Sequence, residues 1–116
     1  MQLTKLKSIL DEVAPSYYLS FSPKDVEEIK TPIIVFSKIN STFKEFSDDL
    51  ASIRTTLYQI NLITSDVKEA DVLAMKLEEI FIANDLPFTL TSEYLNQNNT
   101  ISTIYEIKME EFKHVE

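Results

Sequence analysis

The chain of 116 residues contains no glycine and no cysteine, one arginine (Arg54) and one histidine (His114). Average usage would place about eight glycines in a chain of this length, so their absence removes whole classes of mechanism. A P-loop, a dinucleotide-binding fingerprint and a Gly-x-Ser-x-Gly elbow each need glycine for close backbone approach or a strained turn. Turns must come instead from Asn, Asp, Ser and Pro, which tolerate left-handed backbone or pre-set φ. Such clusters stand at Ser20-Phe21-Ser22-Pro23, Ser47-Asp48-Asp49 and Asn96-Gln97-Asn98-Asn99.

The lack of cysteine excludes disulfides, thiolate metal sites and a cysteine nucleophile, so the fold must stand on packing. No apolar run approaches the ~20 residues that a membrane helix needs, which argues against a membrane partner. The first residues enter an amphipathic pattern with no secretory apolar stretch or small-residue cleavage site, an expectation of synthesis and use in the cytosol. The net charge of −8 and the single arginine leave phosphate neutralisation and bidentate base recognition poorly supplied, so nucleic acid is not an expected specific ligand.

What is present is periodicity. Leu3, Leu6, Ile9, Leu10 and Val13 recur at three and four residues, which predicts a helix over 3–13 that Pro15 ends. Tyr17, Leu19 and Phe21 alternate weakly as a strand, and residues 24–30 are expected to add one helical turn. "IIVFSKI" after Pro32 is a β-branched run that suits a strand from 33 to about 40. Residues 40–52 carry turn formers and charge without sustained period, and read as a long loop or extended arm. From Ile53 to Thr64 the period of two returns, with Tyr58, Ile60 and Leu62 on one face and Leu57, Gln59, Asn61 and Ile63 on the other.

Asp66 with Glu69 three residues on forms a capping-box-like pair. Val67, Ala70, Leu73, Ala74, Leu77, Ile80 and Phe81 then continue at helical spacing, predicting a helix over 66–84 closed by Asn84 and Pro87. Strands are expected near 88–95, with Phe88, Leu90 and Tyr94 on one face, and near 100–110, with Ile101, Thr103, Tyr105, Ile107 and Met109 on one face. Residues 111–116 read as a flexible tail. The expected fold is a single α+β domain: a mainly antiparallel four-stranded sheet with an N-terminal helix and one long helix packed on one face.

Each candidate for chemistry has a plain structural reading beside it. His114 lies near the C-terminus, where fraying is expected, whereas a base or ligand must be held. The doublets Glu27-Glu28, Asp48-Asp49, Glu78-Glu79 and Glu110-Glu111 point their side chains to different faces and so do not converge by themselves. A serine nucleophile lacks a nearby base. Tyr17, Tyr18, Tyr58, Tyr94 and Tyr105 read as core or subunit-contact residues rather than base-stacking platforms. Arg54 is either an interface anchor or a cross-strand partner for Glu93 or Glu106. No catalytic, cofactor-binding or metal residue is assigned, and no cofactor is expected.

The phrases "LKSILDEV", "PIIVFSKI", "SDDLA", "YQINLIT", "SDVKEADVLAMKLEEIF" and "PFTLTSEYLNQNNTISTIYEIKM", in this order, resemble the tail completion or tail terminator proteins of long-tailed bacteriophages. The resemblance lies in the order of elements and spans nearly the whole chain. It implies a non-enzymatic virion protein at the head–tail junction that forms a ring, usually a hexamer. The ring would cap the tail tube, meeting the major tail tube protein on one side and the head completion or connector protein on the other. DNA would pass through without specific binding, and an acidic lumen would suit that passage. A closing ring needs two different patches per subunit. Expected contributors are a sheet edge and the 40–52 segment, with Phe43, Phe46, Asp48, Asp49 and Arg54 as interface candidates. Two alternatives stand beside it: a transient phage morphogenesis factor or tail assembly chaperone, and a small cytosolic α+β protein-binding module.

Overall fold

The computed structural model describes residues 3–19, 31–46 and 51–114. In chain order the elements are α1 (Leu3–Asp11), β1 (Ser16–Tyr18), β2 (Ile33–Phe46), β3 (Ala51–Thr64), α2 (Val67–Ala83), β4 (Phe88–Leu95) and β5 (Ile101–His114). The protein is α+β, with two helices and one five-stranded mixed sheet of order β1-β2-β3-β5-β4 among the described residues. The four expected strands pair antiparallel with one another, and the fifth is β1, paired parallel to β2 through Ser16↔Ile34, Tyr17↔Val35 and Tyr18↔Phe36. The weak strand alternation read at Tyr17, Leu19 and Phe21 overlaps this strand, which is held by backbone bonds at both ends, Ile34 N–H to the Pro15 carbonyl and Leu19 N–H to that of Phe36.

One face of the sheet carries the core. Ile34 and Phe36 of β2, Tyr58, Ile60 and Leu62 of β3, and Tyr105, Ile107 and Met109 of β5 are buried there against Leu6 and Leu10 of α1 and Leu77 and Phe81 of α2. The period of two in β3 and β5 matches the pleat and therefore finds the core face. At Asp11, α1 turns into β1. Its carboxylate accepts bonds from the Ser16 N–H (2.9 Å), the Ser16 hydroxyl (2.6 Å) and Lys7. Burial pushes the Asp11 pKa up, but these donors outweigh it and hold it below the ordinary carboxylate value.

Both ends of α2 are written in the sequence. Asp66 is the N-cap, its carboxylate accepting from the Glu69 N–H at 2.8 Å. Glu69 reaches back one residue further than a standard capping box, accepting from the Ser65 N–H at 3.0 Å and hydroxyl at 3.2 Å. At the other end Asp85 adopts φ 54°. The bonds from Leu86 N–H to the Phe81 carbonyl and from Asp85 N–H to that of Ile82 form a Schellman motif, with Leu86 buried behind it.

Three expectations about the strands change. Residues 40–52, expected as a long loop or extended arm, are strand from 40 to 46 and again from 51, so β2 and β3 are 14 residues each. The tail expected from 111 onward is strand through His114, which pairs with Ala51. Apolar alternation fails at residues 40–44 because their side chains are exposed and the backbone ladder, not burial, holds them. Finally, β4 does not place Phe88, Leu90 and Tyr94 on one face. A bulge between Leu90 and Ser92 turns Tyr94 to the face opposite Leu90. The helical turn expected at 24–30 lies outside the described residues, as do the doublets Glu27-Glu28 and Asp48-Asp49.

Candidate functional site

Beyond the helices, β2, β3 and β5 run on together as a three-stranded arm. Seven residues of strand, 40–46, span about 23 Å. The molecule extends 54 × 29 × 22 Å with a radius of gyration of 16.0 Å, where a compact chain of this length would have about 13 Å. The arm is the source of the difference, and it is a poor place to bury apolar surface.

Its edges are unusual. β1 covers the outer edge of β2 only as far as Phe36, and β4 covers that of β5 only as far as Ile107, with Lys108 N–H reaching the Pro87 carbonyl. Past those points neither outer strand has a strand partner among the described residues. Strand alternation turns the amides of Ser41 and Phe43 outward on one edge and those of Glu110 and Phe112 outward on the other. The bulge between Lys38 and Asn40 sets that phase in β2 and puts Phe43 on the helix-side face.

On that face Phe43 is exposed, and the Arg54 guanidinium lies 6.0 Å from the centre of its ring, a cation–π contact. Register sets Arg54 beside Phe43 on one side and Glu111 on the other. The expected partners Glu93 and Glu106 are not its neighbours: Glu93 stands opposite Thr103, and Glu106 opposite Gln59 and Thr89. Glu106 and Glu93 meet the sheet five or more residues further along β3, at Gln59 and Leu62, so the register carries Arg54 well past both. Phe46 ends β2 opposite Ala51, while Asp48 and Asp49 lie outside the described residues.

Two open clefts adjoin the base of the arm. One of about 200 Å³ is lined by Leu3, Lys38, Arg54, Tyr58 and Glu111, and another of about 420 Å³ by Lys5, Asp85, Pro87, Lys108 and Glu110. Both mix the two signs of charge, and Lys108 pairs with Glu110 at 3.4 Å. Among the described residues no group of three His, Cys, Asp or Glu is placed to hold a metal ion, and no helix is long and apolar enough to cross a membrane.

The tyrosines divide. Tyr58 and Tyr105 are buried, Tyr18 packs on Phe36 with ring centres 5.3 Å apart, and Tyr17 and Tyr94 are exposed. Tyr105 is the most constrained: its ring meets Phe81 at 5.7 Å and Phe88 at 5.9 Å, and its hydroxyl donates to Glu78 Oε2 at 2.6 Å. Burial, then the bond to Glu78 and the charges of Glu78 and Glu93, drive its pKa far above the ordinary tyrosine value. Tyr58 is shifted the same way, first by burial and then by Tyr18 and Glu111. A sheet edge is among the expected patches, but which strands leave their edges open is not legible in the sequence, because edge pairing leaves no mark on hydropathy. No protein-family model matches this chain, and no curated protein matches its sequence.

Proposed function

We propose that the protein is a non-catalytic assembly subunit that closes into a ring through its arm, serving long-tailed bacteriophages as a tail terminator at the head–tail junction. The observation that carries the reading is that, among the described residues, both edges of the three-stranded arm lack a strand partner. Natural proteins shield exposed edges, because unpaired N–H and C=O groups template pairing with another chain. Here the two open edges belong to β2 and β5, which run in the same direction since both are antiparallel to β3. The β2 edge of one copy therefore fits the β5 edge of the next in a parallel, heterologous contact that closes by rotation. Six copies would bring about 18 strands together, a size at which barrels enclose an aqueous channel. The order of sequence phrases that resembles tail terminators supports the phage setting, with the tail tube protein and the head connector as partners. Exposed Phe43 stands on the open β2 edge where neighbouring arms would meet, with the Arg54 guanidinium of central β3 against its ring.

Native mass spectrometry of the protein alone and with purified tail tubes tests this. A ring on the tubes is expected, and Ser41→Pro or Glu110→Pro, each removing an outward amide, should abolish it while circular dichroism stays that of the parent. Failure to cap tubes overturns the phage assignment. Rings that persist in both proline variants overturn the edge-pairing mode.

A further inference from the structure

Among the described residues, two helices do not roof five strands. Helix axes pack about 8–10 Å apart and neighbouring strands about 4.8 Å, so one helix covers about two strands. α1 lies at the β1 end of the sheet and α2 over β3 and β5, which leaves the helix-side face of β4 uncovered beyond Phe88, whose ring packs on Phe81. Leu90 and Leu95 on that face remain 52% and 67% exposed, although their register partners Tyr105 and Ile101 are buried.

The flank of α2 that looks toward β4 is fixed by the Glu78–Tyr105 bond and by Phe81 packing on Phe88 at 5.4 Å. Helical spacing puts Val67, Met75 and Ile82 on the same flank, and they are 65%, 65% and 67% exposed. Ile82 also shares a shallow cleft with Leu86, Pro87 and Phe88. The result is a trough with α2 as its wall and β4 as its floor, about 25 Å long by the rise of a 17-residue helix. The carboxylates that helical spacing and register put along it are Asp71, Glu78 and Glu93, with Asp85 at the Ile82 end and Lys68 beside Met75 at the outer rim, an excess of negative charge. Glu93 accepts from Thr103 and Glu78 from Tyr105, and no ion pair among the described residues reaches Asp71, Glu78 or Glu93.

We propose that this trough docks an amphipathic helix of a partner protein, with leucine-like side chains on its apolar face and Lys or Arg on its flanks. The free floor is one strand wide, about half the width of a helix, so an occupant leaning on α2 would overhang the β4 edge. Met75 and Ile82 stand seven residues apart, about 10.5 Å, the repeat at which a neighbouring helix presents successive apolar side chains. Three unpaired carboxylates call for cations on the occupant. The bulge that interrupts β4 works against an added strand as occupant, and the net charge of −8 works against a second copy of this chain. The proposal does not depend on the ring: the trough lies on β4 and α2, away from the arm.

The test uses the full-length protein and two fluorescent, helix-stabilised peptides of about 18 residues, ~27 Å long. Both carry leucine at heptad spacing; one has lysine flanks, the other glutamate flanks. Fluorescence anisotropy should show the lysine peptide binding at least about tenfold more tightly. Amide shifts should map to 67–82 and 88–95, and M75K or L90K should abolish binding. Both sites are exposed, and circular dichroism confirms that the variants fold. Absence of binding, equal binding of the two peptides, or shifts that map elsewhere overturns the proposal. Self-association of the protein that L90K removes overturns it too, by assigning the trough to a second copy.

Discussion

Replacing Tyr105 by Phe isolates one hydrogen bond at the centre of the core. The side chain is fully buried, and its hydroxyl is 2.6 Å from a carboxylate oxygen of Glu78, short enough for a charge-assisted bond. Such bonds contribute about 1.5–3 kcal/mol. Phenylalanine keeps the edge contacts to Phe81 and Phe88, and the half-buried Glu78 can recover water, so the expected loss at neutral pH is about 1–2 kcal/mol by urea unfolding. Glu78→Gln should lose less, because an amide oxygen still accepts. In a double-mutant cycle the two should couple by about 1 kcal/mol.

The sign with pH is fixed by the direction of the Tyr105 shift. The folded protein holds the neutral phenol, while the unfolded chain ionises near pH 10. This stabilisation is therefore complete below pH 10 and is lost as pH rises above it, by up to about 1.4 kcal/mol per pH unit for each tyrosine so held. Tyr58 is held in the same sense, so Y105F should shallow the alkaline loss without removing it. An unchanged alkaline slope in Y105F, or no loss at neutral pH, would refute the assignment of Tyr105 as a buried donor to Glu78.

Asp66→Ala should cost α2 about 1 kcal/mol and Asp66→Asn or Ser much less, read as the shift in urea midpoint. Leu77→Ala, at a fully buried position, should cost about 2–5 kcal/mol, while Met75→Ala two residues earlier on the exposed flank should stay within about 0.5 kcal/mol by the same assay. Asp11→Asn should remove a stabilisation that is present above about pH 4 in the parent and lost as pH falls through the depressed folded value, so the two proteins should converge in acid unfolding.

Legibility of the fold followed burial. α2 was readable to its caps because Ala70, Leu77 and Phe81 repeat against a core and Asp66 and Asn84 bond locally. β3 and β5 were readable where Tyr58, Ile60, Leu62, Tyr105 and Ile107 alternate into that core. The arm was not, since residues 40–44 are exposed and the bulge after Lys38 shifts the phase of alternation partway along β2. A second bulge likewise placed Tyr94 on the wrong face of β4. Arg54 was identified by residue type, but its neighbours Phe43 and Glu111 depend on a register that only the paired backbone defines. The trough beside β4 follows from how many strands two helices can cover, a count of layers that no local pattern carries.

The absence of glycine reappears in the turns. Left-handed backbone is taken up by Leu19, Asp85 and Asn99, at φ 70°, 54° and 67°. For a residue with a Cβ that region costs about 1–2 kcal/mol, less for Asn and Asp. At Asp85 the side chain also sets a negative charge against the carbonyl end of α2, the unfavourable sign for the helix dipole. Glycine, which weakens most folds where it is introduced, should strengthen this one at Leu19 and Asp85. The chain thus holds unused thermal headroom at two turns, open to an engineer who wants a sturdier subunit without touching the core or the arm.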